Sequence, residues 1–277
     1  MNLYDKACLE CSKVITLKYS TSFSSGISAF DRKYRYPIYA IYGFVRCADE
    51  IVDTFHDKDK KQLITDFRSG TFEAIEKGIS TNPILHAFQL TVNQYKVDTN
   101  LIDIFLTSME VDLTKTVHDK ASYNDYIFGS AEVIGLMCLS VFCDGDIALY
   151  NRLQPQARSL GAAFQKVNFL RDMRADLEER GRIYFPDIDF HHFSDADKRQ
   201  IEQDVKKDFE DGLRGIKQLP NGARGGVYVA YSYYQQLYRK IIKIPAPQLL
   251  QQRIRVSDTR KLSLYLKAVL QQKLNFI

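Results

Sequence analysis

Tyr42-Gly43-Phe44-Val45-Arg46-Cys47-Ala48-Asp49-Glu50-Ile51-Val52-Asp53 is the stretch that decides the fold class. On a helix turning about 100° per residue, Tyr42, Arg46, Asp49 and Asp53 fall within one arc of about 60°. Ile41, Phe44, Val45, Ala48, Ile51 and Val52 occupy the opposite side. A second segment, Gln165-Lys166-Val167-Asn168-Phe169-Leu170-Arg171-Asp172-Met173-Arg174-Ala175-Asp176, repeats the pattern. Its Gln165, Asn168, Asp172 and Asp176 share an arc of about 80°. Gly161 lies on the same side, where a missing side chain leaves room for something to approach. With 34 acidic residues in 277, chance supplies about four acidic pairs at i,i+4, and a lone pair reads as a solvated helix face. Two such pairs, each in an apolar helix and each continued by polar groups in line, read differently. Like charges at that spacing destabilise an exposed helix by roughly 0.2–0.5 kcal/mol, and by more when partly buried. A buried wall of aspartates therefore calls for cations, and carboxylates with a shared substrate anion are the usual ligand set for Mg²⁺. The competing reading is two solvated faces.

The helical period continues nearly everywhere, and strand signals are scarce. Breaks fall at 57–61, 81–83, 144–146, 186–194, 220–222 and 245–247, with helix candidates of about 12–25 residues between them. None of the breaks is long enough for a domain linker, so residues 1–277 read as a single all-α domain. Hydrophobic residues make up 45% and charged residues 26%, which suits an ordered core. A net charge of +4 without a like-charge block gives no argument for nucleic acid. The longest apolar run, 133–143 with one serine inside, is shorter than the roughly 18 residues of a membrane span. The first residues lack a signal peptide's apolar stretch. The expectation is a cytoplasmic protein. Cys8 and Cys11 form a CxxC, but no second ligand pair follows to complete a zinc site. Cys47, Cys138 and Cys143 read as buried small hydrophobes.

The chain resembles the head-to-head prenyl synthases: phytoene, squalene and dehydrosqualene synthases. The resemblance rests on Tyr19-Ser-Thr-Ser-Phe23, on Tyr39 through Asp53, on Gly135-Leu-Met137, and on Gln165 through Pro186 with its ending Gly-Arg-Ile-Tyr-Phe-Pro. It covers most of the chain, from about residue 15 to about residue 265. It implies an isoprenoid-synthase helical bundle around a central cavity. It also implies the joining of two identical allylic diphosphates. One ionises, and its C1 cation attacks the 2,3 double bond of the other to give a cyclopropylcarbinyl diphosphate. That intermediate ionises, rearranges and is quenched by proton loss, or by NADPH hydride in squalene synthase.

On this resemblance Asp49, Asp53, Asp172 and Asp176 hold Mg²⁺, with Mn²⁺ able to substitute, bridging to diphosphate oxygens. Arg46 takes a diphosphate oxygen pair with its planar fork. Ser20, Ser22, Tyr42, Gln165, Asn168, Tyr238 and Arg253 face the diphosphates. Arg253 also reads as part of a solvated basic face with Arg255, Arg260 and Lys261. Phe23 and Tyr126, by family position, and Phe164 are expected to stabilise carbocations by cation–π contact. Leu136, Met137, Leu139 and Val141 are expected to line or back the prenyl tunnel.

Two departures stand out. The family's second motif commonly reads Asp-x-Gly-Glu-Asp, and here it is Asp172-Met-Arg-Ala-Asp176. Arg174 is then a competitor for the aspartates or a further diphosphate ligand. Ser130-Ala-Glu132 stands where Val-Ala-Gly is usual, and Glu132 near an apolar tunnel needs a partner or water. The Gly-Leu-Met run and the Asp-Glu-Ile-Val-Asp form favour geranylgeranyl diphosphate and phytoene, without NADPH. The alternatives are a C30 squalene or dehydrosqualene synthase using farnesyl diphosphate, a non-catalytic assembly or binding protein, and a cyclase acting on one prenyl diphosphate. The intact end aspartates oppose the non-catalytic reading, and Arg-Ile-Tyr-Phe-Pro opposes the cyclase. A lipid product predicts peripheral membrane contact at the tunnel mouth, although no amphipathic anchor stands out.

Overall fold

The computed structural model describes residues 1–115, 117, 119–178, 181–186, 188, 193–251 and 253–273. The helices run α1 (Leu3–Tyr19), α2 (Thr21–Ser28), α3 (Arg32–Asp53), α4 (Lys60–Lys77), α5 (Pro83–Tyr95), α6 (Thr99–Val111) and α7 (Lys120–Ile127). A π-turn (Phe128–Glu132) leads into α8 (Val133–Cys143), and then come α9 (Ile147–Glu178), α10 (Asp195–Ile216), α11 (Asn221–Ile241), α12 (Ala246–Leu249) and α13 (Asp258–Lys273). Among the described residues there is no named strand, only a lone parallel bridge between Val117 and Ile183. The expected breaks at 57–61, 81–83, 144–146, 220–222 and 245–247 fall at helix boundaries, and that at 186–194 lies mostly outside the described residues. Asn82 caps α5 ahead of Pro83, and Ser194 and Asp197 form a capping box on α10. Gly78 and Asp144 end α4 and α8 in left-handed backbone.

α3 and α9 organise the bundle. α3 packs on α1, α5 and α8, and α9 packs on α8, α10 and the π-turn. The inner side of α3 drives this packing. Phe44 is fully buried and stacks on Phe88 at 3.9 Å, with Phe67 and Phe105 beside it. Truncating such a ring to Ala typically costs about 3–5 kcal/mol. A second core gathers around α9 to α12, with Val167, Leu170, Phe209 and Leu237 fully buried.

α7, the π-turn and α8 run on as one stretch, Lys120–Cys143, long and apolar enough to cross a membrane by composition. Two thirds of its most apolar window is buried inside the protein, so it serves as a core helix. The π-turn packs too closely on its neighbours to admit a Cβ at two glycines. A Cβ on Gly129 would meet the Ser108 side chain at 1.8 Å, and one on Gly161 would meet the Ala131 carbonyl at 2.9 Å. What approaches in the room left by Gly161 is backbone of the π-turn, and Gly161 itself lines the central cavity. The wide turn brings Ser130 and Ala131 to the wall of the central cavity.

Candidate active site

A cavity of about 710 Å³ lies between α2, α3, α8, α9 and α11. α3 contributes Ile38, Ile41 and Tyr42 from its first half, then Arg46, Asp49 and Asp53, with Val45 and Val52 among them, from its second. α9 follows the same order, with Leu153, Ala157 and Leu160 first and Gln165, Asn168, Asp172 and Asp176 later. The cavity therefore has an apolar end and a polar end. From Ile38 to Asp53 it follows α3 for about 22 Å. Both polar stripes expected from helical spacing face this one space. Ser20, Ser22, Phe23, Phe164, Tyr126 and Arg253 line it too.

Tyr238 does not. It is 8% exposed, packs on Phe209, and its hydroxyl donates to the Glu202 carbonyl at 2.8 Å. One turn earlier on α11, Tyr234 takes the cavity position, stacks on Phe164 at 4.0 Å and donates to Asn168 Oδ1 at 3.3 Å. On α8 the structure separates lining from backing residues. Leu139 lines the cavity with Ile134, Gly135, Cys138 and Phe142, whereas Leu136, Met137 and Val141 belong to the core behind. Cys138 is thus a wall residue, its thiol pushed up to about 12 by burial. Cys8 is buried, Cys11 is exposed, and no metal cluster forms among the described residues.

The departures resolve simply. Arg174 is exposed, bonds Glu178 at 2.8 Å and the Gln251 carbonyl at 3.0 Å, and does not line the cavity. Glu132 accepts from Arg158 Nε at 2.6 Å and belongs to a separate surface crevice with Lys166 and Asp208.

Sequence reasoning passed over several site residues. Asp112, at the C-terminus of α6, lines the cavity. Its Oδ2 accepts from the Tyr126 hydroxyl at 2.8 Å, and its Oδ1 is buried without a partner. The available signal was an acid at the negative end of an apolar helix, where the helix dipole disfavours it. Arg171 and Arg182 line the cavity as well. Arg182 reaches Asp53 at 3.4 Å and the Asp112 carbonyl at 3.1 Å. Arg171 sits off the stripe, and Arg182 lies beyond the end of α9, where helical spacing is silent. Tyr184 stacks on Phe169 at 4.0 Å and lies 5.3 Å from the Tyr126 ring.

Arginines stand among the acids at the polar end. Arg46 pairs with Glu50, stands 3.8 Å from Asp49, and lies over the Tyr19 ring, while its Nε is buried without a partner. Asp172 is held by Arg171 and by Arg253 at 2.7 Å. Asp49 is a third exposed to the cavity. Even so, burial, offset by Arg46 and reinforced by Asp53 and Asp112, pushes its carboxyl up to about 7. Burial likewise lifts Asp112 to about 6, with Arg182 and Tyr126 opposing and Asp53 and Asp176 adding. Burial raises Tyr42 to about 12, so it stays a neutral hydrogen-bonding phenol.

These carboxyls resist ionisation as they stand, and a cation among them would relieve that. The donors are hard oxygens, the type that suits Mg²⁺ or Mn²⁺. Among the described residues no three acids converge on one point. Each aspartate pair therefore needs ligand oxygens from elsewhere, which fits an ion shared with a diphosphate.

The sequence signature of the squalene/phytoene synthase family matches residues 16–260, and the chain belongs to that family. Its members are prenyltransferases, and so is this chain. It is 27% identical over 258 residues to a phytoene synthase of Arthrospira platensis, covering 84% of this chain and 83% of the relative. It is 25% identical over 253 residues to the chloroplastic phytoene synthase 1 of Zea mays, spanning 81% of this chain and 59% of that protein. Among solved structures, a dehydrosqualene synthase superposes with a TM-score of 0.81 at 20% identity, over 97% of this chain and 98% of the other. That likeness establishes the isoprenoid-synthase fold.

Proposed function

We propose that this chain joins two geranylgeranyl diphosphates head to head, through a cyclopropylcarbinyl diphosphate, to give phytoene and release diphosphate. The observation that carries the reading is the two-ended cavity: carboxylates and guanidinium groups at one end, aliphatic and aromatic wall at the other. An amphiphile with a diphosphate head and a long branched tail matches that division. The curated phytoene synthases among the relatives favour the C40 product.

Arg46, Arg171, Arg182 and Arg253 are placed to receive diphosphate oxygens, and Arg46 Nε already has an unfilled bond direction. Asp49, Asp53, Asp172 and Asp176 would hold divalent metal, which supplies charge withdrawal from the leaving group. Ser20 caps α2, and Ser22, Gln165 and Asn168 offer neutral donors beside the head group. Phe23 stands 5.7 Å from Tyr42 and 6.0 Å from Tyr234. With Phe164 and the Tyr126–Tyr184 pair, these rings line the zone where polar and apolar walls meet. Ring faces there stabilise a carbocation electrostatically and leave no nucleophile as strong as water. The two ends of the cavity set the ionising carbon against that zone.

The test is a product assay. Purified protein with Mg²⁺ is given geranylgeranyl or farnesyl diphosphate, with and without NADPH, and the extract is analysed by mass spectrometry. Phytoene formed without NADPH is the expected result. A C30 hydrocarbon from farnesyl diphosphate as the preferred product overturns the chain-length assignment. No product from either, with the protein folded, overturns the catalytic reading.

A further inference from the structure

We infer that α13 is a docking face for an anionic lipid bilayer, seating the polar mouth of the cavity at the membrane surface. Leu262, Leu266 and Leu270 recur at four-residue spacing and are 60%, 58% and 58% exposed. They form one ridge on the outside of a helix whose other side is fastened to the protein. Ala268 is buried, Tyr265 meets Ser28 at 3.4 Å, and Gln271 meets Tyr228 at 3.4 Å. Three large aliphatic side chains in a row on a well-anchored helix are an interaction surface and not scattered exposure.

Charge selects the partner. From Thr259 to Lys273 the sequence carries Arg260, Lys261, Lys267 and Lys273 and no acid. Arg260 and Lys267 are exposed, and helical spacing puts them on the flank of the leucine ridge. A second copy of this chain offers no complementary acidic stripe in its own α13. An apolar ridge bordered by bases is the pattern of a helix lying in the interface of an anionic membrane.

Position gives the surface its purpose. Lys261, next to Leu262, lines the catalytic cavity and bonds Thr21 Oγ1 at 2.9 Å. Lys261 is on the inner side of α13, so docking the ridge would set the cavity rim one helix diameter, roughly 10 Å, from the lipid. That suits a prenyl diphosphate arriving from a bilayer and a hydrocarbon leaving into one, and to this extent the purpose rests on the proposed function. The binding itself does not.

The test is co-sedimentation of the full chain with extruded vesicles, either phosphatidylcholine alone or phosphatidylcholine with phosphatidylglycerol. Binding is expected on the anionic vesicles and should weaken with added salt. L262S/L266S/L270S is expected to lower the partition coefficient by at least about tenfold. R260Q/K267Q is expected to lower it several-fold and to flatten the salt dependence. Both variants should keep the native melting transition and native turnover on substrate in detergent micelles, because none of the five residues lines the cavity. Native binding that is absent, or unchanged in the leucine variant, overturns the inference. So does a native dimer that the leucine variant converts to a monomer in sedimentation velocity, since the ridge would then belong to a second copy. A protein that binds vesicles but forms no product would leave this inference standing and the catalytic reading overturned.

Discussion

Replacing Asp112 by asparagine should make the metal-free protein more stable at high pH and less active. Asn keeps the shape and an acceptor oxygen for the Tyr126 hydroxyl, now 2.8 Å from Asp112 Oδ2. What it removes is the charge. Burial holds the Asp112 carboxyl at about 6 against an ordinary 3.8, even with Arg182 and Tyr126 favouring ionisation. A carboxyl whose folded value lies above its unfolded value binds more protons when folded. Stability therefore falls as pH rises from about 4 through about 6. At about 1.36 kcal/mol per pH unit the fall amounts to about 3 kcal/mol. The native protein should show this slope and D112N should lack it, with Asp49 titrating in both. The assay is urea unfolding with chelator present, at about pH 4.5, 6 and 8, comparing the difference between the two proteins across pH. At the same time turnover should fall, because Asp112 lines the reacting space and the Tyr126 hydroxyl loses a charged acceptor. Gain of stability with loss of activity marks a group kept for function. Parallel unfolding curves across that pH range would refute the reasoning.

Four further substitutions separate site from scaffold. Y238F should cost about 1 kcal/mol, the worth of its bond to the Glu202 carbonyl, with kcat and KM unchanged in steady-state assays. R253Q removes one of the two guanidinium groups on Asp172 from a half-exposed position. It should raise KM for the prenyl diphosphate about tenfold and leave the melting temperature nearly unchanged. F164L removes the ring stacked on Tyr234. It should lower kcat and add prenyl alcohols, from water capture of the cation, to the product profile. G161A drives a methyl into the Ala131 carbonyl and the Glu132 Cα, with backbone on both sides. It should cost about 1–3 kcal/mol in denaturant unfolding, and turnover should fall as the π-turn and the neighbouring Tyr126 shift.

Helical spacing carried most of the site because α3 and α9 are long and regular. Eight polar residues placed on two stripes by angle alone all line one cavity. What spacing misses has a geometric cause. Arg182 acts after its helix has ended. Asp112 is a lone acid on another helix, and only packing brings it to Asp53 and Asp176. On α8 nearly every residue is apolar enough to be core, so the sequence does not say which residues line the tunnel and which back it; Cys138, Leu139 and Phe142 line it and Leu136, Met137 and Val141 back it. Tyr234 and Tyr238 are one turn apart on the same side of α11, and the choice between them was settled by the Glu202 carbonyl. The leucine ridge of α13 was hidden for the opposite reason. Its bases suggested an ordinary solvated face until the structure showed which leucines stay outside.

The pairing at the polar end explains how a cavity this charged can be stable before substrate arrives. Arg46, Arg171, Arg182 and Arg253 each spend part of their hydrogen-bonding capacity on an acid of the site or its rim. Asp49, Asp53 and Asp172 each have a guanidinium group within 4 Å. Truncating one partner of such a pair strands the other, which typically costs more than the pair contributes. A diphosphate brings oxygens that suit the same guanidinium forks. Arginines that turned to a diphosphate would leave Asp49, Asp53 and Asp172 free to hold a divalent metal, which would supply charge withdrawal from the leaving group. Arg174 stands outside this exchange, held by Glu178 and the Gln251 carbonyl. Arg174 in the unusual second motif therefore belongs to the rim of the site.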